Sequence, residues 1–438
     1  MEVKVLKFGG SSLADASQFR KVAQIIKSEP ERRYVVASAP GKRFSDDVKV
    51  TDMLYKCFNL AKNNENIDDE FKKIEDRYNK IISDLELDFS LKEEFEKIKI
   101  AIFHAGSDYI SSRGEYLNSM ILAEYLGYDF IDAEKVIFFH EDGNFDAHTT
   151  NKVLASVLEN HEYAVIPGFY GSMPNGTIKT FSRGGSDITG SIVARAIGAS
   201  LYENWTDVSG MLMADPRIVE NPKVIDIISY KELRELSYMG ATVMHEDAIF
   251  PVSESGIPIN IKNTNAPQDK GTFIVPSTEK AEGGRMVTGV AGRQGFSSIT
   301  VEKDMMNQEL GFGRRVLEVL ERYGVPFEHL PTGIDTMSVV VSTAAIVDKM
   351  DNISTDIYRA VKADKVRIDH GIAMIAIVGK SLINTKGTAV RLFSAIYKAD
   401  INVRMMDLGS SELNVIIGVD EKDYANALRA IYAEFITR

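Results

Sequence analysis

The stretch VKVLKFGGSSLADASQFRKVAQIIKSEPERRYVVASAP, residues 3–40, decides the fold. Its opening VKVLKF is a short apolar run of strand type, SLADASQFRKVAQIIKS carries apolar residues at helical spacing, and RYVVASAP returns to strand character. A strand, a crossover helix and a second strand predict a mostly parallel sheet covered by helices. At the first strand end, Lys7-Phe8 runs through Gly9 and Gly10 into Ser11-Ser12, which we expect to cap the helix. Glycines admit an anion to the backbone amides, the helix N-terminus adds a positive dipole, and Lys7 can bridge a phosphate as a point charge. The same letters also describe an ordinary strand-to-helix turn, so the rest of the chain must decide between the two.

Outward from this stretch, residues 50–99 are long, charged and helical, and read as a helical insertion or lid, with strand character resuming at KIAIFHAG. Further strands are expected at YAVIPGFYG, GTIKTFS, ASLYENWT and IPINIKN. The first domain is placed at 1–280, followed by the polar linker STEKAEGGRM. Beyond it two units share one element order. The first, 297–370, is a complete βαββαβ unit running from SSITVEK to KVRIDH. The second starts at IAMIAIVG and reaches Arg438 one strand short. An open sheet edge leaves backbone donors and acceptors unpaired. The spare run MVTGVAG is therefore expected to fill it, making the second unit 286–293 plus 371–438, interleaved with the first.

Composition narrows the function classes. The 438 residues exceed the roughly 250 to 300 at which one core stops growing, so several domains are expected. A net charge of −12 argues against a general nucleic-acid surface. There is no run of apolar residues long enough for a membrane span and no signal-like N-terminus. Cys57 is the only cysteine, which fits a cytoplasmic protein without disulfides. The seven histidines show no metal-ligand spacing, and His245 reads as packed or hydrogen-bonded. Gly379-Lys380-Ser381 fails as a Walker loop because Met374 stands where that loop needs glycine.

Three further motifs carry chemistry. Phe181-Ser182-Arg183-Gly184-Gly185-Ser186-Asp187 repeats the logic of strand, glycine pair and helix cap, with Arg183 suited to grip a carboxylate bidentately. Trp205-Thr206-Asp207, closed by Ala214-Asp215-Pro216-Arg217, is a loop that can hold a base and ribose, or a plain Asp-Pro turn. Ser111-Ser112-Arg113-Gly114-Glu115 precedes a helical run and sets Glu115 either toward a substrate ammonium or in solvent near a helix start.

Taken in order, VLKFGGSSLAD, VVASAPG, SSRGEYLN, GFYGSMPNGTIKTFSRGGSDIT, NWTDVSGMLMADPR and IPINIKNT closely resemble the aspartate kinase family over nearly the whole chain. The resemblance is to monofunctional members, with Arg438 following directly on the second small unit. It implies an amino acid kinase αβα sandwich followed by two ferredoxin-like ACT domains, and an enzyme that phosphorylates the aspartate side chain with ATP and Mg²⁺. By resemblance Lys7, Gly9, Gly10, Ser11, Thr206, Asp207, Leu212, Arg217 and Asn265 meet ATP, and Lys7 and Asp187 are catalytic. Ser38, Thr51, Glu115, Arg183, Gly184, Gly185 and Ser186 surround aspartate. Many relatives have tyrosine, threonine and lysine where this chain has Leu212, Met213 and a residue near Asn265. No direct protein metal cluster is expected; Mg²⁺ would arrive with ATP, with Asp187 a candidate contact. Lysine or threonine is the expected feedback effector, at Met306, Asn307, Gln308, Gly311, Phe312, Gly313, Glu328 and Asp335. A homodimer or homotetramer through the ACT domains is also implied. The alternatives are a non-catalytic amino-acid sensor, disfavoured by the intact Lys7 and Arg183–Asp187 segments, and a glutamate or acetylglutamate kinase, disfavoured by the paired tail.

Overall fold

The computed structural model describes every residue except 1, 183, 242–243, 245–247, 279–285, 381, 383–384, 409–412 and 438. Arg183, His245 and most of the expected linker thus lie outside the described residues. The chain divides into two compact units. One comprises Met1–Met211, Val224–Ser237 and Thr242–Glu282; the other comprises Leu212–Lys223, Tyr238–Ala241 and Gly283–Arg438.

The first unit contains, in order, β1 (Lys4–Phe8), α1 (Ala16–Lys27), β2 (Arg32–Ala37), α2 (Val50–Lys62), α3 (Asp68–Asp84), α4 (Lys92–Ala101), α5 (Ser107–Leu126), β3 (Asp129–Phe130), α6 (Ala147–Leu158) and β4 (Ala164–Pro167). Next come β5 (Tyr170–Ser172), β6 (Ile178–Thr180), α7 (Gly185–Ala196), β7 (Leu201–Thr206), β8 (Ile227–Ser229), α8 (Tyr230–Tyr238), α9 (Phe250–Ser253), β9 (Ile259–Asn263) and β10 (Thr272–Val275). The main sheet has the order β3-β4-β2-β1-β7-β9-β10-β8 and is parallel except where β9 meets β10. Period-2 alternation assigns its two faces. Leu6, Phe8, Val35, Ala37, Val165 and Trp205 point into one core with the helices α1 to α5. Lys7, Tyr202 and Asn204 point the other way, toward α7, where the Tyr202 hydroxyl donates to the Asp187 carbonyl at 3.1 Å. The result is a sheet between helical layers. KIAIFHAG, expected as a strand, is instead the end of α4 and the turn after it. Phe95, Ile98 and Ile102 sit at i, i+3 and i+7 and are buried in that core, so helical packing overrides a run that also reads as a strand.

The second unit contains β11 (Gly289–Glu302), α10 (Phe312–Arg322), β12 (Phe327–His329), β13 (Thr336–Ser342), α11 (Thr343–Ile346), α12 (Met350–Val361), β14 (Lys365–Val378), α13 (Thr388–Lys398), β15 (Val403–Leu408), β16 (Asn414–Asp420) and α14 (Tyr424–Tyr432). Its strands form one antiparallel sheet in the order β12-β13-β11-β14-β16-β15. MVTGVAG and SSITVEK are parts of a single long strand, as are KVRIDH and IAMIAIVG. Residues Gly289–Arg293 of β11 pair with Val378–Met374 of β14, while Ser298–Glu302 pair with Asp369–Lys365. Between the two stretches the register shifts, with Gly295 at φ 88° and Gly371 at φ 73°. Glycine takes up these positive φ values without the Cβ clash that would strain another residue, so the strands bend there and do not break.

Candidate active site

The carboxyl ends of the parallel strands converge, the edge at which open α/β sheets bind ligands. Leaving β1, the Gly9 amide donates to the Trp205 carbonyl at 2.9 Å and the Ser12 amide to the Gly9 carbonyl at 3.0 Å, closing a tight turn. That turn enters a short 3₁₀ segment, Gly10–Leu13, and the α-helix starts only at Ala16. Its cap is Asp15, whose carboxylate accepts from the Gln18 amide at 3.0 Å, so neither Ser11 nor Ser12 caps it. Ser12 instead shares a 2.8 Å hydroxyl hydrogen bond with Thr264 beyond β9.

Leaving β2, the Ser38 amide donates to the Phe8 carbonyl at 3.2 Å and the Gly41 amide to the Gly10 carbonyl at 2.8 Å. Here glycine is a steric requirement. A Cβ on Gly10 would lie 2.7 Å from the Ala39 carbonyl oxygen, and one on Gly41 would lie 2.6 Å from the Gly10 carbonyl carbon. The two turns therefore touch backbone to backbone. Leaving β4, the Gly168 amide donates to the Ala37 carbonyl at 3.0 Å, and a Cβ on Gly168 would strike Ser186 Oγ at 2.5 Å.

Over these turns stands the N-terminus of α7, with Gly184 before it at φ 60°. The first intrahelical bond runs from the Ile188 amide to the Gly184 carbonyl at 3.0 Å, so the amides of Gly185, Ser186 and Asp187 precede the hydrogen-bonded ladder. Asp187 Oδ1 pairs with Lys7 Nζ at 2.5 Å and accepts from Asn204 Nδ2 at 3.0 Å. Lys7 is 8% exposed. A cation carried by β1 is thus held by a helix-terminal carboxylate that β7 fixes in turn.

Glu115 is not near a helix start. It lies in the third turn of α5 and is 6% exposed. Much of α5 is buried around its whole circumference, Ser111 to Glu115 included, so no amphipathic period marks the residue in the sequence. Burial pushes the Glu115 carboxyl up to about 8, against the lowering effect of the Ala39 amide hydrogen bond and the nearby Arg113 and Lys7 charges. Its Oε2 has no hydrogen-bond partner among the described residues. One helical turn on, Asn118 Nδ2 donates to the Ser38 carbonyl at 2.7 Å. α5 therefore grips Ser38–Ala39 through two side chains. Thr51 opens α2 close by: a Cβ on Gly114 would meet its Cγ2 at 3.6 Å.

At the β7 and β9 ends, Thr206 Oγ1 donates to Asp207 at 3.2 Å, and the Thr206 carbonyl accepts from the Thr264 amide at 2.9 Å. Asn265 is exposed and accepts from Lys21 Nζ at 2.8 Å. Leu212 and Arg217 belong to the second unit, where Arg217 grips Asp215 through Nε at 3.0 Å and Nη2 at 2.6 Å. Among the described residues no group of three His, Cys, Asp or Glu side chains could hold a metal ion; Asp187 is the carboxylate paired with Lys7.

In the second unit, the expected effector loop follows β11. Met306–Gln308 forms a 3₁₀ turn, Gly311 at φ 73° precedes α10, and Phe312 is buried while Gly313 lies beside Met337. The Met305 amide donates to Asp335 Oδ1 at 2.9 Å and the Asn307 amide to the Ile334 carbonyl at 3.1 Å. Glu328 accepts from the Tyr238 hydroxyl. Met305, Leu310 and Ile334 are exposed.

Sequence reasoning missed Asn204, Asn118, Thr264 and Gly168. Only the glycine carried a signal, as a glycine directly after the strand YAVIP. The other three act through side chains whose partners lie far off in sequence.

The chain belongs to the amino acid kinase family, whose model matches residues 2–263. An ACT domain model matches residues 375–435. Within the family it belongs to the aspartokinases. It is 37% identical to aspartokinase 3 of Bacillus subtilis, covering 99% of this chain and 98% of that one. The crystal structure of Clostridium acetobutylicum aspartate kinase is 51% identical with a TM-score of 0.91, covering 99% of this chain and all of that one. Escherichia coli aspartokinase III in complex with lysine and aspartate is 25% identical with a TM-score of 0.76, over the full length of both chains.

Proposed function

We propose that the chain transfers the γ-phosphoryl group of ATP to the side-chain carboxylate of L-aspartate, giving ADP and 4-phospho-L-aspartate, as the first step of aspartate-family amino acid biosynthesis in the cytoplasm. One observation carries the assignment of roles: Lys7, paired to Asp187 between two glycine turns, lies within electrostatic reach of Glu115, a buried carboxyl with an oxygen that lacks a partner among the described residues. The turn Gly9–Ser12 receives the phosphates, and Thr206, Asp207 and Asn265 lie toward the rest of the nucleotide. Leu212 and Arg217 are kept as nucleotide contacts on resemblance alone. Ser38, Thr51, Glu115 and Gly184–Ser186 form the aspartate side, with Arg183 assigned to the α-carboxylate.

The chemistry follows from charge. The substrate carboxyl, with a reference pKa of about 3.9, is ionised at neutral pH and needs no general base. The barrier is repulsion between this carboxylate and a polyphosphate, and fixed positive groups aligned on the transferring oxygens lower it. Asp187 holds Lys7 in place until phosphate takes over as its counter-ion, and the amides at the start of α7, ahead of its hydrogen-bonded ladder, add to the positive field there. Asp187 is the residue that would contact Mg²⁺, which, arriving with the nucleotide, would neutralise phosphate charge. Glu115 becomes the acceptor for the substrate ammonium.

We further assign amino-acid feedback to the second unit, with lysine or threonine as effector at Met306, Asn307, Gln308, Gly311, Phe312 and Gly313 with Glu328 and Asp335, and assembly as a homo-oligomer through the same unit. The lysine bound in the E. coli relative supports an amino-acid effector. ADP release measured with aspartate, glutamate and acetylglutamate as competing acceptors, then repeated with lysine and with threonine, tests both halves. Turnover confined to glutamate or acetylglutamate would overturn the substrate, and an unchanged rate with both effectors saturating would overturn the feedback.

A further inference from the structure

We propose that Arg77 on α3 is a positioning residue for phosphoryl transfer, holding the turn that leaves β1 and the turn that leaves β2 at a fixed spacing. The inference rests on reading those turns as the phosphate and aspartate sides of one site. Arg77 is 5% exposed on a helix otherwise rich in surface charge. Its guanidinium spans both turns. Nη2 donates to the Ala14 carbonyl at 3.0 Å and to the Gly41 carbonyl at 2.7 Å, Nε donates to Ala14 at 3.3 Å, and Nη1 meets Asp47 Oδ2 at 2.8 Å. Burial pulls the Arg77 pKa down, with the Asp47 hydrogen bond opposing it.

Asp47 is itself fixed. It accepts from Arg43 Nε at 2.7 Å, from Nη2 at 2.8 Å and from the Arg43 amide at 2.9 Å. The Arg43 side-chain bond, with further help from Arg77, holds the Asp47 carboxyl far below the usual carboxylate range, so the clamp stays ionised at working pH.

A planar fork is needed here because its three anchor points come from two loops, Ala14 from the one after β1 and Gly41 and Asp47 from the one after β2. Ala14 follows the phosphate turn, Gly41 closes the Ser38–Gly41 turn, and Asp47 lies beyond it. Since Gly10 and Gly41 touch without side chains between them, a slip of one turn moves the other, and with it the Ala39 amide on Glu115. Misplacement of reacting groups by about 1 Å is enough to lower a rate by roughly 100-fold.

The test uses the full chain with Arg77→Lys, which keeps the charge but cannot span three anchors, and Arg77→Met. Turnover comes from coupled ADP release, the separate affinities for ADP and aspartate from calorimetry, and folding from Trp205 fluorescence. Positioning predicts that kcat falls roughly 10- to 100-fold while each ligand alone binds within about threefold of the parent. A merely structural role would lower the melting temperature and both affinities in step with kcat, and that result overturns the proposal. So does a kcat within threefold of the parent in the folded variants. If neither Arg77 variant folds, Asp47→Asn loosens the same clamp and is read by the same split between kcat and affinity. Lys7→Ala run alongside separates the two failures. An active Lys7→Ala sinks the site reading itself, whereas an inactive Lys7→Ala beside fully active Arg77 variants sinks only the positioning role.

Discussion

Replacing Glu115 by glutamine removes an ionisation with almost no change in volume, and its effect can be worked out beforehand. Burial raises the Glu115 carboxyl from 4.5 to about 8. At pH 7 such a group is roughly nine-tenths protonated. An arriving ammonium favours the ionised form, so binding aspartate at pH 7 should release close to one proton, about 0.9 per site. Calorimetric titration of aspartate at one pH in two buffers of different ionisation enthalpy measures this number directly. In Glu115→Gln the release should vanish and the KM for aspartate should rise about 100-fold, because a buried ammonium loses its counter-charge. Stability supplies an independent reading. The folded pKa lies above the unfolded one, so the stabilising proton is fully present below about 4.5 and is lost as pH rises through about 8. Across that window the parent should lose up to a few kcal/mol of stability, at about 1.4 kcal/mol per pH unit at most, and Glu115→Gln should lose less by that amount. A parent that releases no proton, or a glutamine variant that releases as many, refutes the reasoning.

Lys7→Ala should lower kcat by about 100- to 1,000-fold with a circular-dichroism spectrum like the parent's, and a coupled assay showing more than a tenth of parental turnover would remove Lys7 from the mechanism. Gly41→Ala places a Cβ 2.6 Å from the Gly10 carbonyl carbon, so a stability loss of about 1–3 kcal/mol and a drop of more than 10-fold in kcat/KM are expected; parental values for both would mean the turns are not in register as described. Arg32→Met leaves the buried Glu203, which Arg32 grips at 2.9 and 3.1 Å, with the Trp205 Nε1 donor at 2.9 Å but no cation in contact, and should cost about 3–5 kcal/mol in urea unfolding followed by circular dichroism; a loss under about 1 kcal/mol would contradict a stabilising buried ion pair.

The parallel sheet was legible because VKVLKF, RYVVASAP and IPINIKN are short apolar runs between helical or turn-rich segments, and period 2 sends Lys7 to one face and Leu6 and Phe8 to the other. The turn at Gly9–Gly10 was legible because a glycine pair directly follows a strand, and Gly184–Gly185 because a glycine pair leads straight into a helical run. Helix starts were less so: Ser11 and Ser12 look like caps, yet the backbone makes a 3₁₀ turn first and Asp15 takes the role. α5 hid its nature for the opposite reason, being buried around much of its circumference, so local pattern left Glu115 open between a substrate contact and a solvated carboxylate. Gly295 and Gly371 read as breaks between strands, whereas they bend strands that continue through them. Arg77, Asn118 and Asn204 were invisible because each matters through a partner at least 17 positions away, which local pattern cannot supply.

The two long strands also determine how the second unit can be dissected. β11 and β14 each run through both halves of one sheet, so no single cut yields either half whole. A fragment ending before Lys365 strips β11 of a neighbour along most of its length, and one beginning after Arg293 leaves the other half with an open edge at Met374–Val378. Deletion, permutation or transplantation must therefore take Gly289 to Tyr432 as one indivisible piece. Engineering a chimaera means choosing junctions that keep β11 and β14 paired, because a seam that separates them would expose a raw edge to aggregation.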